Sequence, residues 1–281
     1  MNIAEALAAA TERLENSGIP ESRREAASLI AFAIGRERVF LIAHPEYILT
    51  VDETAAIDES VKRRSSREPF QYIVGRQEFY ALDFEVSPSV LIPRPETELL
   101  VARAIDELSK IDEPQFCEIG VGSGCISISV LYNVPNATAV GLDISEAALA
   151  VARKNADRHN VLGRLDLRSS DIYGSLTPRQ FHAILSNPPY IPSSDMPALQ
   201  PEVSEFEPRV ALTDGGSGIE IIERIIAGAP TFLLDGGILM LEIGAGQSEI
   251  VCEMFDPMVW RTVIVLPDLQ QIPRTVIAVK K

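Results

Sequence analysis

Positive charge is what this chain has least of relative to its opposite. Its 281 residues carry 25 Lys and Arg against 40 Asp and Glu, a formal charge of −15 with a pI near 4.7. Phosphate backbones are held by clustered Lys and Arg, so duplex DNA or RNA starts at a disadvantage as a substrate. The one basic cluster, Lys62-Arg63-Arg64 with Arg67, is short and reads as a solvated helix end. Cysteine is scarce as well. Cys117, Cys125 and Cys252 are odd in number and lack Cys-x-x-Cys spacing, which excludes a disulfide framework or a zinc finger and reads as reduced core thiols. His44, His159 and His182 are scattered with no His-Glu-x-x-His pattern, so no metal site is expected. No apolar run suits a bilayer span and the N-terminus lacks a signal-peptide core, so a cytoplasmic location is expected. What is present is ordinary for a globular protein: 46% apolar and 23% charged residues. The length suits one large or two modest domains with a real core.

Ile3, Leu7, Ala10 and Leu14 recur at helical spacing, and Gly18 with Pro20 closes that helix. Further helical patterns run over residues 21–35, 39–43 and 53–65. Phe70, Tyr72, Phe79, Tyr80 and Phe84 then bring aromatics into a segment with strand character, and 75–90 reads as a β-hairpin. The expected organisation is a small helical domain over 1–74, a hairpin linker over 75–93 and an α/β domain over 94–281. Pro95 with Glu96 and Glu98 suits the start of a helix. Strands are expected at 115–119, 137–143, 165–169, 183–186, 238–242, 262–266 and 275–280, with helices between most of them. That alternation argues for a mostly parallel sheet covered on both faces. The last two strands lie too close in sequence for a helical crossover and should pair antiparallel. Residues 191–218 hold too many prolines and glycines for regular structure and read as a substrate-facing flap.

Phe116-Cys117-Glu118-Ile119-Gly120-Val121-Gly122-Ser123-Gly124 is a buried strand entering a glycine-rich turn and then a helix. Asp143 ends the next strand, where a carboxylate can accept both hydroxyls of a ribose. A dinucleotide site is the rival reading, but the third glycine of its Gly-x-Gly-x-x-Gly fingerprint is here Cys125. Gly-x-Gly-x-Gly is instead typical of enzymes that use S-adenosylmethionine. At a third strand end, Asp171 is placed to bond an adenine ring and Ile172 to pack on it; a helix cap is an equal local reading of Asp171.

After a fourth apolar strand comes Ser186-Asn187-Pro188-Pro189-Tyr190. Two prolines fix two φ angles, remove two backbone donors and push the residues before them into extended geometry. The carbonyls of Asn187 and Pro188 are therefore free of adjacent N–H competitors, beside an amide side chain and an aromatic face. Such a device suits a planar group bearing N–H.

These pieces together resemble the class I S-adenosylmethionine-dependent methyltransferases of the Asn-Pro-Pro-Tyr type, and within them the N5-glutamine methyltransferases of peptide chain release factors. The likeness covers nearly the whole chain. It is carried by Arg67 to Gly75, Leu91 to Leu100 including Arg94-Pro95-Glu96-Thr97, Gly120 to Gly124, Val140 to Ser145, Ser186 to Pro192 and Glu207-Pro208-Arg209. Glu118 stands where the family commonly has Asp, and Val121 where Thr is common.

The resemblance implies a helical domain, a hairpin and a seven-stranded Rossmann-like domain. It implies S-adenosylmethionine held by Glu118, Gly120, Val121, Gly122, Ser123, Gly124, Asp143, Asp171, Ile172 and Asn187, with S-adenosylhomocysteine as product. Asn187, Pro188 and Tyr190 would be catalytic and, with Pro189, bind the acceptor. The Asn187 side-chain carbonyl and the Pro188 backbone carbonyl would each accept one N–H of a carboxamide, and Tyr190 would stack on its plane. The implied substrate is the glutamine of the Gly-Gly-Gln motif in class 1 release factors, with the helical domain recognising the protein, and a monomer is expected. A ribosomal-protein glutamine or the amino group of adenine in nucleic acid is the alternative acceptor.

Overall fold

Helix α1 (Ile3–Asn16) opens on a reciprocal cap: the Glu5 backbone N–H donates to the Asn2 side chain, and the Asn2 backbone N–H donates to the Glu5 carboxylate. This capping box satisfies two N–H groups that a helix start otherwise leaves orphaned. The computed structural model describes residues 1–177 and 179–281. The chain divides into two units, Met1–Arg76 with Gln200–Phe206, and Gln77–Leu199 with Glu207–Lys281.

The first unit is helical. After α1 come α2 (Ser22–Ala33), α3 (Arg38–Ala43), α4 (Val51–Ser65) and α5 (Phe70–Val74). Leu14, Leu29 and Ile30 are fully buried at its centre, with Ile57 and Val61 from α4 against them. Two expectations need correction here. The basic cluster is not a solvated helix end. Arg64 is only 4% exposed and is paired by Glu25 and by Glu202 at 3.0 Å, while Arg67 reaches Glu202 at 2.7 Å. Glu202 sits in a segment 138 residues further along the chain, so the sequence around Arg64 carries no sign of its partner. Nor are Phe70 and Tyr72 in a strand. Pro69 precedes and Gly75, at φ +74°, follows a single helical turn that buries Tyr72 and Ile73, and burial here overrides the strand preference of aromatics.

In the second unit β1 (Arg76–Phe79) and β2 (Leu82–Glu85) form a two-stranded sheet. Their two-residue link, Tyr80-Ala81, has φ of +51° and +59°, the mark of a type I′ hairpin turn made without glycine. The Tyr80 N–H is held by the Glu98 carboxylate at 2.9 Å. A 3₁₀ turn at Pro95–Thr97 leads into α6 (Glu98–Leu108), and β3 (Gln115–Ile119), α7 (Cys125–Asn133), β4 (Thr138–Asp143), α8 (Glu146–Arg158), β5 (Leu165–Ser169) and β6 (Phe181–Ser186) follow. The stretch over 191–218 is not wholly irregular. It holds 3₁₀ turns at Met196–Ala198 and Arg209–Ala211 and, in the part that belongs to the first unit, a short helix, α9 (Pro201–Ser204), each with proline in or just before its first turn. Proline is compatible with a helix start because the donor it lacks has no partner there anyway. Then come α10 (Glu220–Phe232), β7 (Leu233–Glu242), α11 (Ser248–Glu253), β8 (Trp260–Pro267) and β9 (Pro273–Lys280).

The seven strands lie in the order β5-β4-β3-β6-β7-β9-β8, with the first five parallel and β9 antiparallel to both neighbours. The expected mostly parallel sheet with an antiparallel terminal hairpin is what the chain forms. One apolar cluster packs α6 and α7 on the sheet, with Leu100, Leu108, Phe116 and Ile128 at its heart; another sets α10 against it through Ile222, Ile225 and Leu239. Strand order reverses between β3 and β6, and such a switch point opens a crevice beyond the carboxyl ends of the strands. Register aligns three of those ends, because Ile119 pairs with Leu142 on one side and with Ser186 on the other. Gly120, Asp143 and Asn187 therefore leave the sheet side by side.

Candidate active site at the strand ends

A cavity of roughly 250 Å³ occupies this crevice, lined by residues of the second unit. Gly120, Gly122 and Gly124 have φ of +74°, +54° and +84°, a region closed to most L-residues. At Gly124 a Cβ would lie 2.7 Å from the tip of the Ile128 side chain, which would have to shift to admit it. Asn155, fully buried on α8, holds the loop from outside: its Nδ2 donates to the Ser123 and Glu85 carbonyls, and its Oδ1 accepts the Glu85 N–H.

Asp143 accepts the Gly122 N–H on Oδ2 at 2.8 Å and the Ser145 N–H on Oδ1 at 2.9 Å. Each oxygen keeps acceptor capacity, and burial holds the carboxyl above its ordinary range despite these N–H donors. Glu118 is 1% exposed and lines the cavity. Its Oε2 accepts the Ser127 N–H, whereas Oε1 has no hydrogen-bond partner among the described residues. Burial pushes its pKa up to about 8, with the Asp143 charge adding to the shift. A buried carboxyl oxygen left without a donor, a strand-end carboxylate with spare lone pairs and a glycine loop fit a ligand carrying both cationic and hydroxyl groups. S-adenosylmethionine is such a ligand. Ile172 lines the cavity at φ +50°, a strained conformation for a β-branched residue. Ser170 secures it, its Oγ donating to the Ile172 carbonyl. Asp171 lines the cavity too, but its carboxylate is half exposed and held by Arg224 at 2.7 Å, and no helix starts there for it to cap.

Asn187, Pro188 and Pro189 all line the cavity; Tyr190 does not. The Tyr190 hydroxyl donates to Glu242 Oε1 at 3.2 Å, and its carbonyl accepts from Gln247 Nε2 at 2.9 Å. Burial raises the Tyr190 pKa, so the hydroxyl stays a donor. Asn187 Nδ2 donates to Thr97 Oγ1 at 3.1 Å, and Thr97 in turn donates to Glu242 Oε2 at 2.6 Å. Arg94, on the cavity wall, is tied to the buried Glu207 at 2.6 Å. Thr97, Glu242, Gln247 and Asn155 were not singled out as site residues by the sequence alone.

Among the described residues, no group of His, Cys, Asp and Glu is placed to hold a metal ion and no helix is long and apolar enough to cross a membrane. A glycine loop and strand-end acid on a sheet of this order define a class I methyltransferase, an enzyme that uses S-adenosylmethionine. The model of the methyltransferase small domain matches residues 96–200, and that of the PrmC N-terminal domain matches residues 5–75. The chain belongs to the release factor glutamine methyltransferase family. It is 43% identical over 242 residues to such an enzyme of Geobacter sulfurreducens, covering 86% of this chain and 84% of the relative. It is 38% identical over 281 residues to that of Koribacter versatilis, covering 100% and 99%. Among solved structures, the T. thermophilus 16S rRNA N2 G1207 methyltransferase in complex with AdoMet and guanosine shares the fold. Its TM-score is 0.54 at 17% identity, over 73% of this chain and 50% of that one.

Proposed function

We propose that this enzyme methylates the side-chain amide nitrogen of the glutamine in the Gly-Gly-Gln motif of class 1 peptide chain release factors. The observation that carries this reading is the state of Asn187. Its Nδ2 is taken up by Thr97, so Oδ1 is the atom left to accept, beside a Pro188 carbonyl that no adjacent N–H contests. Two acceptors side by side match the two N–H groups of a carboxamide. Relatives of near-full-length coverage bear the name release factor glutamine methyltransferase, which supports the same acceptor.

An amide nitrogen is a poor nucleophile because its lone pair is delocalised into the carbonyl. When bound, S-adenosylmethionine supplies a methyl activated by its sulfonium. Asn187 Oδ1 and the Pro188 carbonyl would fix the amide nitrogen and its orientation, the positioning that a near-attack arrangement requires. The same two oxygens stabilise the positive charge the nitrogen gains, and the nitrogen then sheds one proton. Glu118 would hold the cationic methionine portion, Asp143 the ribose hydroxyls, and Asp171 and Ile172 the adenine. Gly120, Val121, Gly122, Ser123 and Gly124 let backbone approach the ligand. Pro189 shapes the acceptor's entrance, and Tyr190 acts by fixing the Asn-Pro-Pro segment through its hydroxyl and carbonyl. The helical unit recognises the protein that carries the glutamine.

An adenine amino group also presents two N–H donors, but its polyanionic carrier suits poorly a chain of charge −15. Methyl-labelled S-adenosylmethionine offered with release factor, ribosomal protein and DNA tests the reading. Label should enter release factor; preferential labelling of DNA or ribosomal protein would replace it.

A further inference from the structure

We propose that Glu242 is a positioning residue for methyl transfer: acting through Thr97, it dictates which end of the Asn187 carboxamide meets the substrate. The inference rests on the role given to Asn187 above.

Glu242 ends β7 next to Asn187 across the sheet, since Ser186 pairs with Leu241 and each chain then continues by one residue. It is 1% exposed and does not line the cavity. A buried carboxylate is costly unless its oxygens are bonded, and here both are, to hydroxyls of two site residues. The direction of those bonds matters more than their number. An ionised carboxylate only accepts, and a threonine hydroxyl has one proton. With that proton given to Glu242 at 2.6 Å, Thr97 can offer Asn187 only a lone pair. Asn187 must then present Nδ2 to Thr97 and Oδ1 to the cavity. With the amide turned over, Nδ2 would oppose the N–H of the substrate carboxamide, donor against donor. One carboxylate thus sets the polarity of the chain Asn187 to Thr97 to Glu242. The same carboxylate holds the Tyr190 ring.

Burial raises the Glu242 pKa to about 7, offset by its two hydroxyl donors and by Arg274 on β9, and reinforced by Glu96 beside Thr97. At the start of α7, burial raises the Cys125 pKa, with the Glu118 and Glu242 charges adding to it, so the side chain stays a neutral thiol. Protonation turns one Glu242 oxygen from acceptor to donor. Thr97 or Tyr190 then loses its partner, so turnover should fall as pH drops through about 7.

The test compares Glu242→Gln, Thr97→Val, Thr97→Ser and the Gln–Val double variant on the protein acceptor the wild type labels. Glutamine keeps the shape but offers one acceptor where the carboxylate offers two. We expect kcat to fall about 100-fold in Glu242→Gln, the loss that a misplaced reacting group brings, with cofactor affinity within about threefold, a change of less than 1 kcal/mol. The acid limb of the pH profile should flatten. Thr97→Ser should recover most of the Thr97→Val loss, and the double variant should lose no more than the worse single one, since both break one chain. A second measurement needs no turnover: in protein labelled with 15N-asparagine, the Asn187 side-chain protons should be slow to exchange at pH 8 and lose that protection in Glu242→Gln. The inference fails if Glu242→Gln keeps kcat within about threefold, if its cofactor affinity falls in step with kcat, if the two losses multiply, or if exchange at Asn187 is unchanged. A wild-type enzyme that labels some other acceptor sinks the substrate reading alone, because the variant ratios and the exchange measurement still report on Asn187.

Discussion

Asp143 Oδ2 accepts the Gly122 N–H at 2.8 Å, so the acid assigned to the ribose also fastens the glycine loop to the end of β4. Removing it should do double damage. In Asp143→Ala, cofactor affinity should fall by at least about 1.5–3 kcal/mol, the worth of one hydrogen bond to a charged group. Isothermal calorimetry on the folded variant would show this, and unchanged affinity would remove Asp143 from the site.

Glu118 makes the empty-handed enzyme sensitive to alkali. Its pKa is pushed by burial from 4.5 to about 8, so the folded chain keeps a proton that the unfolded chain gives up. Stability from this group is full below pH 4.5 and is lost as pH rises through about 8. Urea unfolding without cofactor should therefore weaken by roughly 1.4 kcal/mol per pH unit between the two pKa values and level off above about pH 8. Glu118→Gln should flatten the slope. An identical slope in both proteins would mean that Glu118 is not neutral in the folded state.

Asn187→Ala deletes one of the two acceptors given to the substrate amide. Turnover should drop by about 100- to 1,000-fold, the scale on which one preorganised partner of developing charge acts. The melting temperature should move by no more than about 4 °C, because Asn187 is only half-buried and about 1 kcal/mol shifts a domain of this size by that much. Methylation kinetics beside a thermal melt would decide it, and activity within a few-fold of wild type would end the role assigned to this side chain.

Within the helical unit, Glu202→Ala should destabilise by about 1–3 kcal/mol, because a buried guanidinium loses one of its two carboxylate partners. Adding Arg64→Met should recover part of that loss, since an apolar group there needs no partner. Chemical denaturation of the two variants tests this; a neutral Glu202→Ala would mark the bridge as incidental.

Most of the frame was legible in the chain because the signals were local. Apolar runs such as Ala183-Ile184-Leu185 marked buried strands, glycines marked the turn after β3, and a short interval between the last strands forced them antiparallel. Asn187, Asp143 and Glu118 were legible for the same reason, each lying at the end of such a run. What stayed hidden depends on side chains meeting across long sequence separations. Thr97 and Glu242 are 145 residues apart, and Thr97 and Asn187 are 90 apart. Glu242 did carry one sign, a carboxylate closing the apolar run Leu239-Met240-Leu241 where strand ends gather ligands. Asn155 carried none, for an asparagine amid a helical pattern looks like any exposed polar residue. Arg64 misled because charge alone says solvent, and one of its two partners, Glu202, is supplied by a short helix far along the chain.

The central claim is that the Asn187 and Pro188 acceptors serve a glutamine side chain of a release factor. Mass spectrometry of a class 1 release factor after incubation with the enzyme and S-adenosylmethionine tests it most directly. The account predicts one added methyl, placed by fragmentation on the side-chain nitrogen of the Gly-Gly-Gln glutamine, and none when that glutamine is replaced. A methyl on any other residue, or undiminished labelling of the replaced protein, would contradict it.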